Sequence, residues 1–270
     1  MKILFIGDIM GRPGRDMARR AIPALVERHD VDLVIANGEN AAAGFGITKD
    51  IGDDLFGFGI HVMTSGNHIW DKKEVLEYIP GEPRLLRPAN FPAGVPGNGR
   101  ILVESASGQA VGVVNVMGRV FMQPIDDPFA VVLREIDALR ARTRVIVIDF
   151  HAEATSEKIA MGWHLDGRVT AVIGTHTHVQ TADERVLPQG TAYITDVGMT
   201  GPHESIIGVE RSAALGRFLT GMPARFEAAS GDPKLHAVVI TAEVTTGRAT
   251  AIERLSLTPT DVDVLAKAEA

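Results

Sequence analysis

The 270-residue chain contains no cysteine. That removes disulfides, zinc fingers, iron–sulfur clusters and a thiol nucleophile. Any metal must be held by imidazole, carboxylate or amide groups. Aromatic residues are only 5% of the chain, which leaves few stacking platforms for single-stranded nucleic acid. Cations are the minority charge: 27 Lys+Arg against 34 Asp+Glu give a formal charge of -7. That balance disfavours stable duplex nucleic acid binding, which needs a basic face, but leaves a small nucleotide or phosphodiester substrate open. No apolar run approaches the roughly 20 residues of a membrane span. The run at residues 3–6 is strand-sized and passes straight into Gly7-Asp8, unlike a signal peptide. The expectation is a soluble, cytoplasmic protein with no membrane partner, and a homo-oligomer is compatible with these features.

At 45% hydrophobic and 23% charged the composition is that of an ordinary globular protein with a sizeable core. Short β-rich runs fall at residues 3–6, 33–36, 61–64, 145–149, 171–173 and 192–194. Their lack of polar alternation predicts strands buried on both faces. Helical spacing is expected at 15–28, with Pro23 kinking or dividing it, and at 51–58, 74–78 and 127–142, where Pro128 suits a first turn. Strand, polar loop, helix, strand is the α/β (α+β) grammar. Residues 101–105 with 110–116, and 236–244 with 249–257, read as hairpins. With no linker, repeat or low-complexity stretch, residues 1–270 are expected to form a single domain.

Potential ligands follow the strands: Asp8, Glu39 with Asn40, Asn67 with His68, His151, and His176 with His178. In open α/β sheets ligands bind at the carboxyl ends of strands, where neighbouring loops converge. Each residue alone has a plain structural role available. Asp8 serves equally as a helix cap, Glu39-Asn40 as turn residues, His151 as a core histidine. Their joint occurrence at successive strand ends is what points to chemistry. Two carboxylates, two amides and the imidazoles of His68, His151, His176 and His178 form a mixed N/O set that suits manganese, iron, zinc or nickel. Two ions about 3.5–4 Å apart need one bridging carboxylate plus terminal ligands for each. Gly11-Arg12-Pro13-Gly14 is not a phosphate-binding P-loop, because no Gly-Lys-Ser/Thr follows. Arg12 and Arg15, read as lying on that loop, are candidates for contacting a substrate phosphate, against the plainer reading of a solvated helix N-terminus.

Gly7-Asp8, Gly66-Asn67-His68, His151 and Gly174-Thr175-His176-Thr177-His178 resemble the ordered motifs of the calcineurin-like metallophosphoesterases. Two positions depart: Met10 stands where that superfamily has a histidine, and Gly38-Glu39-Asn40 where it has Gly-Asp. Both departures are similar to the YmdB-type bacterial subfamily. So are Asn37-Gly38-Glu39-Asn40-Ala41-Ala42, Asn67-His68-Ile69-Trp70-Asp71, the stretch from Asp149 to Lys158, and Asp196-Val197-Gly198-Met199-Thr200-Gly201-Pro202. The resemblance implies a metallophosphoesterase-type four-layer β-sandwich flanked by helices, and phosphodiesterase activity on 2′,3′-cyclic nucleotides with two divalent or trivalent ions, iron or manganese. It assigns Asp8, Glu39, Asn40 and His178 to one ion, and Glu39, Asn67, His151 and His176 to the other. His68 is then the catalytic group that protonates the leaving oxygen or steadies the transition state. The alternatives are a phosphomonoesterase or nucleotidase with the same centre, and a non-catalytic nucleotide-sensing regulator.

Overall fold

A computed structural model describes residues 1–267. Strand β1 (Lys2–Ile6) and the short β2 (Asp8–Ile9) lead into helix α1 (Gly11–His29). Then come β3 (Leu33–Asn37), α2 (Lys49–Gly57), β4 (Val62–Thr64) and α3 (Val75–Tyr78). The second half runs β5 (Arg100–Glu104), β6 (Ala110–Met117), α4 (Pro128–Arg140), β7 (Val145–His151), α5 (Thr155–Leu165), β8 (Ala171–Thr175), β9 (Arg185–Val186) and β10 (Ala192–Ile194). The chain closes with β11 (Met199–Pro202), α6 (Arg211–Thr220), β12 (Pro233–Ala242), β13 (Ala249–Leu257) and α7 (Pro259–Lys267).

These strands build two mixed sheets. One runs β2-β11-β12-β1-β3-β4 with β13 on the other edge of β12, and the other runs β5-β6-β7-β8-β10-β9. β1, β3 and β4 are parallel, as are β6, β7, β8 and β10. Both faces of these strands are covered, which is why their sequences read as unbroken apolar runs. Between the sheets Ile3, Phe5, Leu33 and Ile35 meet Val113, Val147, Ala171 and Ile194. On the outer face of the first sheet α1, α2, α3 and α7 pack over Leu4, Ile6 and Val34. On the outer face of the second, α4 and α5 cover Val114, Ile148 and Val172. The result is the expected four-layer α/β sandwich. No helix among the described residues is long and apolar enough to cross a membrane.

Two local expectations change. Pro23 does not divide the first helix, which runs unbroken from Gly11 to His29. Pro23 is exposed, while Met17, Ala18, Ala21, Ile22 and Leu25 bury a stripe on either side of it that keeps the helix against the sheet. The helix also starts earlier, so Arg12-Pro13-Gly14 form its first turn rather than a loop, and Pro13 lacks only an N–H that a first turn leaves unpaired anyway. By contrast α4 starts at Pro128 as its sequence predicts, with the Asp127 carboxylate accepting from the Phe129 N–H at 2.9 Å.

Candidate metal centre

The carboxyl ends of the parallel strands of both sheets open onto one point. β1 and β2 deliver Asp8, β3 delivers Glu39 and Asn40, and β4 delivers Asn67 and His68. From the facing sheet β7 ends in His151, and the turn after β8 carries His176 and His178. Asp8, Glu39 and His151 have no solvent exposure at all.

Three polar atoms converge on His151 Nε2. Glu39 Oε1, Asn67 Oδ1 and His176 Nδ1 each lie 3.0 Å from it. One ring nitrogen carries at most one proton, so hydrogen bonding cannot account for all three. Ligands about 2.1 Å from a shared ion in octahedral array stand about 3.0 Å apart, which is the spacing seen. Beside this group His178 Nε2 lies 3.7 Å from Asp8 Oδ1 and 3.1 Å from the Asn40 amide nitrogen. Turning that amide by 180° would offer its oxygen instead, an assignment the hydrogen-bond network decides. Asp8 Oδ1 and Glu39 Oε1 are buried without an aligned hydrogen-bond partner among the described residues. A buried carboxylate oxygen left so is costly, and a cation is the partner that relieves it. The residues present therefore fit metal ions.

The outward nitrogens of the imidazoles are anchored, which fixes the tautomer and aims the other nitrogen inward. His151 Nδ1 lies 2.9 Å from Thr175 Oγ1, whose own hydroxyl donates to Asp149 Oδ1 at 2.7 Å. His176 Nε2 meets Glu153 Oε2 at 3.0 Å, and His178 Nδ1 donates to the Ile207 carbonyl at 2.8 Å. His68 Nδ1 is 2.7 Å from Asp71 Oδ2, while its backbone N–H donates to Glu39 Oε2 at 2.9 Å. His68 thus borders the cluster without its side chain joining it. The Phe45 ring packs edge-on against that imidazole, centroids 5.1 Å apart.

Charge follows the same geometry. Burial opposes ionisation of Glu39, yet the His151 imidazole and the His68 N–H hold its pKa down at about 2. Burial also disfavours the charged form of His151, but Glu39 outweighs it and lifts the pKa to about 9. His176 is pushed down to about 2 by burial and by the neighbouring His151 charge. Asp8 is raised by burial, and Asp149 is raised to about 7 for the same reason. In the metal-free chain one proton thus sits between Glu39 and His151, where a cation would otherwise be.

The two arginines part company. Arg15 donates its guanidinium to the Ala41 carbonyl and so braces the loop that carries Glu39 and Asn40. The Arg12 side chain is 84% exposed and 3.6 Å from Asp16. It lines a cavity of about 910 Å³ with Phe45 and Lys72, next to His68. Neither touches the ligand cluster. The outer partners Thr175, Asp149, Glu153 and the Ile207 carbonyl lie outside the expected site. Asp149 and Glu153 stand two residues either side of His151, Thr175 directly precedes His176, and Asp71 is three residues after His68.

The chain matches the family described as YmdB-like protein over residues 4–255. It is 52% identical over 255 residues to a 2′,3′-cyclic-nucleotide 2′-phosphodiesterase of Bacillus subtilis (strain 168), covering 94% of this chain and 96% of that protein. Among solved structures, a hypothetical protein from Thermus thermophilus matches with TM-score 0.89 and 44% identity, covering 96% of this chain and 99% of that one. A structure titled as a novel phosphatase from Mycoplasma pneumoniae matches with TM-score 0.90 and 32% identity, covering 97% and 96%.

Proposed function

The chain belongs to the YmdB-like protein family and is a hydrolase of the phosphodiesterase class, and we propose that it opens 2′,3′-cyclic nucleotides and related phosphodiesters at a centre of two metal ions. Asp8, Asn40 and His178 would hold one ion; Asn67, His151 and His176 would hold the other, with Glu39 shared between them. An all oxygen-and-imidazole set suits iron or manganese. When bound, the pair supplies Lewis-acid stabilisation of phosphoryl oxygens and a hydroxide nucleophile near neutral pH. The observation that carries the reading is the convergence of three atoms on His151 Nε2 beside a histidine that stays out of the cluster.

That histidine is His68, and its task is the leaving group. Asp71 accepts from Nδ1–H and orients the ring, and Phe45 restrains its swing, leaving Nε2 as the nitrogen available to substrate. From there a protonated His68 gives its proton to the departing 2′-oxygen of a cyclic phosphate, leaving a 3′-phosphate product. Arg12, on the cavity shared with Phe45 and Lys72, is proposed to contact a phosphate or the nucleoside beyond it. Arg15 shapes the Glu39–Asn40 loop through Ala41 and does not reach substrate.

The test is turnover by manganese-loaded protein of 2′,3′-cyclic AMP, bis-p-nitrophenyl phosphate and p-nitrophenyl phosphate. The cyclic nucleotide and the diester should be cleaved faster than the monoester. A faster monoester would make the protein a phosphomonoesterase, and no turnover of any of the three would leave a regulator.

A further inference from the structure

Lys158 and Asp196 lie in two of the motifs that carry the family resemblance, yet neither is in the ligand groups. Their side chains are 1% and 0% exposed, with Lys158 Nζ 2.7 Å from Asp196 Oδ2. A buried ion pair is weak evidence for stability, because desolvation offsets its attraction and an apolar pair of similar volume often does as well. What the pair holds is more informative.

Asp196 Oδ2 accepts from both the N–H (3.1 Å) and the hydroxyl (2.6 Å) of Thr177, the residue between the two histidines of the turn. Lys158 Nζ also reaches the Thr177 hydroxyl at 3.2 Å. Further along, the Thr181 N–H donates to the Asp196 carbonyl at 3.0 Å, and the Asp196 N–H donates to Thr181 Oγ1 at 2.9 Å, closing the turn at its far end. Within it, His176 and His178 both adopt left-handed backbone, φ 95° and 63°. Such conformations persist only where surrounding contacts over-determine them. The other carboxylate oxygen, Oδ1, accepts from the Gly198 N–H at 2.8 Å, and the Gly198 carbonyl accepts from the Asp8 N–H at 3.1 Å. One carboxylate therefore braces His176, His178 and Asp8 together.

We propose that the buried Lys158–Asp196 pair is a positioning device that presets the His176-Thr177-His178 turn and Asp8 for metal binding. This rests on the metal-centre reading above. Lys158 neutralises a carboxylate whose oxygens are spent on the backbone of the His176-Thr177-His178 turn and of Gly198.

The test is Mn²⁺ titration of chelator-stripped protein, followed by electron paramagnetic resonance and calorimetry, for wild type, Lys158→Met and Thr177→Val. Outer partners of metal ligands are worth about 10–100-fold in metal affinity. Lys158→Met leaves Asp196 buried and unpaired and should lower the melting temperature; with circular dichroism native at the assay temperature, Mn²⁺ binding should still weaken by that factor. Thr177→Val keeps the buried pair and removes one hydroxyl, so it should weaken binding several-fold, and it decides the matter if Lys158→Met fails to fold. Wild-type affinity in both variants, or a loss that appears only where circular dichroism is no longer native, would overturn the positioning role while leaving the centre intact. Failure of the wild type itself to take up two Mn²⁺ would overturn the metal-centre reading and this one with it.

Discussion

Gly66→Ala is a small change with a large expected effect. A Cβ at that position would lie 2.1 Å from His151 Cδ2 and 2.2 Å from Nε2. Ordinary contact begins near 3.4 Å, so ring or backbone must retreat by about 1.3 Å. Neither is free to do so. The His151 ring is held by Thr175 Oγ1 and Glu39, and Ser65 is pinned by its N–H on Asn115 Oδ1 (3.1 Å) and its hydroxyl on the Leu86 carbonyl (2.7 Å). If the backbone yields, Asn67 moves; if the ring yields, His151 moves. A misplacement of about 1 Å costs roughly 100-fold in rate, and overpacking of this kind costs about 1–3 kcal/mol of stability. The measurements are Mn²⁺ affinity by calorimetry, diester turnover, and melting temperature. Gly57→Ala, with nothing within 4 Å of the added methyl, is the control and should be neutral or slightly stabilising. Wild-type metal affinity and turnover in Gly66→Ala would refute the placement of His151 at the centre.

Three further outcomes are expected. His68→Ala should lower turnover by about 100- to 10,000-fold while metal content, measured by mass spectrometry, stays at the wild-type level; parallel metal loss would make His68 a ligand. Glu39→Gln should lose most bound metal and with it activity, since Glu39 is the carboxylate proposed for sharing between ions; full metal retention would contradict that. In the metal-free protein the His151 pKa stands near 9, above its ordinary value, so its contribution to stability is complete below about pH 6.5 and is lost as pH rises through about 9. Metal must displace that proton, so Mn²⁺ affinity should climb by up to about tenfold per pH unit over the same window, and calorimetry showing a flat affinity would refute it.

The convergence of the candidate residues was legible because chemistry-bearing residues follow apolar runs that lack alternation. Asp8, Glu39, Asn67, His151 and His176 all sit at or just after such a run. What lay beyond reading was what depends on distant partners. Lys158 and Asp196 are 38 residues apart and meet only because α5 packs against β8 beneath the ligand turn. The left-handed φ of His176 and His178 has no sequence signature, since non-glycine residues take it only when contacts elsewhere impose it. α6 was missed because its sole buried residue is Ala214, so no amphipathic stripe marks it. Pro23 does not divide α1: its local penalty is real, but burial on both sides of it prevails.

Met10, where the resembled superfamily has a histidine, sits in a different environment from the candidate ligands. It is 1% exposed in an apolar cluster with Met199, Val209 and Ala214. Its side chain fills space that two glycines leave open: a Cβ on Gly201 would fall 2.7 Å from Met10 Cβ, and one on Gly208 would fall 2.7 Å from Cγ. An imidazole would have to fit into that apolar cluster, where a buried ring nitrogen left without a hydrogen-bond partner costs about 1–3 kcal/mol. On the reading proposed above, Asn40 of the neighbouring loop would take that histidine's place. The Asn40 carbonyl accepts from the Gly11 and Gly44 N–H groups at 2.9 and 3.1 Å, which clamps that loop to the start of α1 and brings the Asn40 amide to His178. Glu39 is fixed beside it by its N–H on Asn37 Oδ1 at 3.1 Å. Two adjacent residues of one turn thus present a carboxylate and an amide to the centre. Restoring a histidine at Met10 would therefore displace the apolar plug that holds this turn in place, and should weaken metal binding rather than add a ligand.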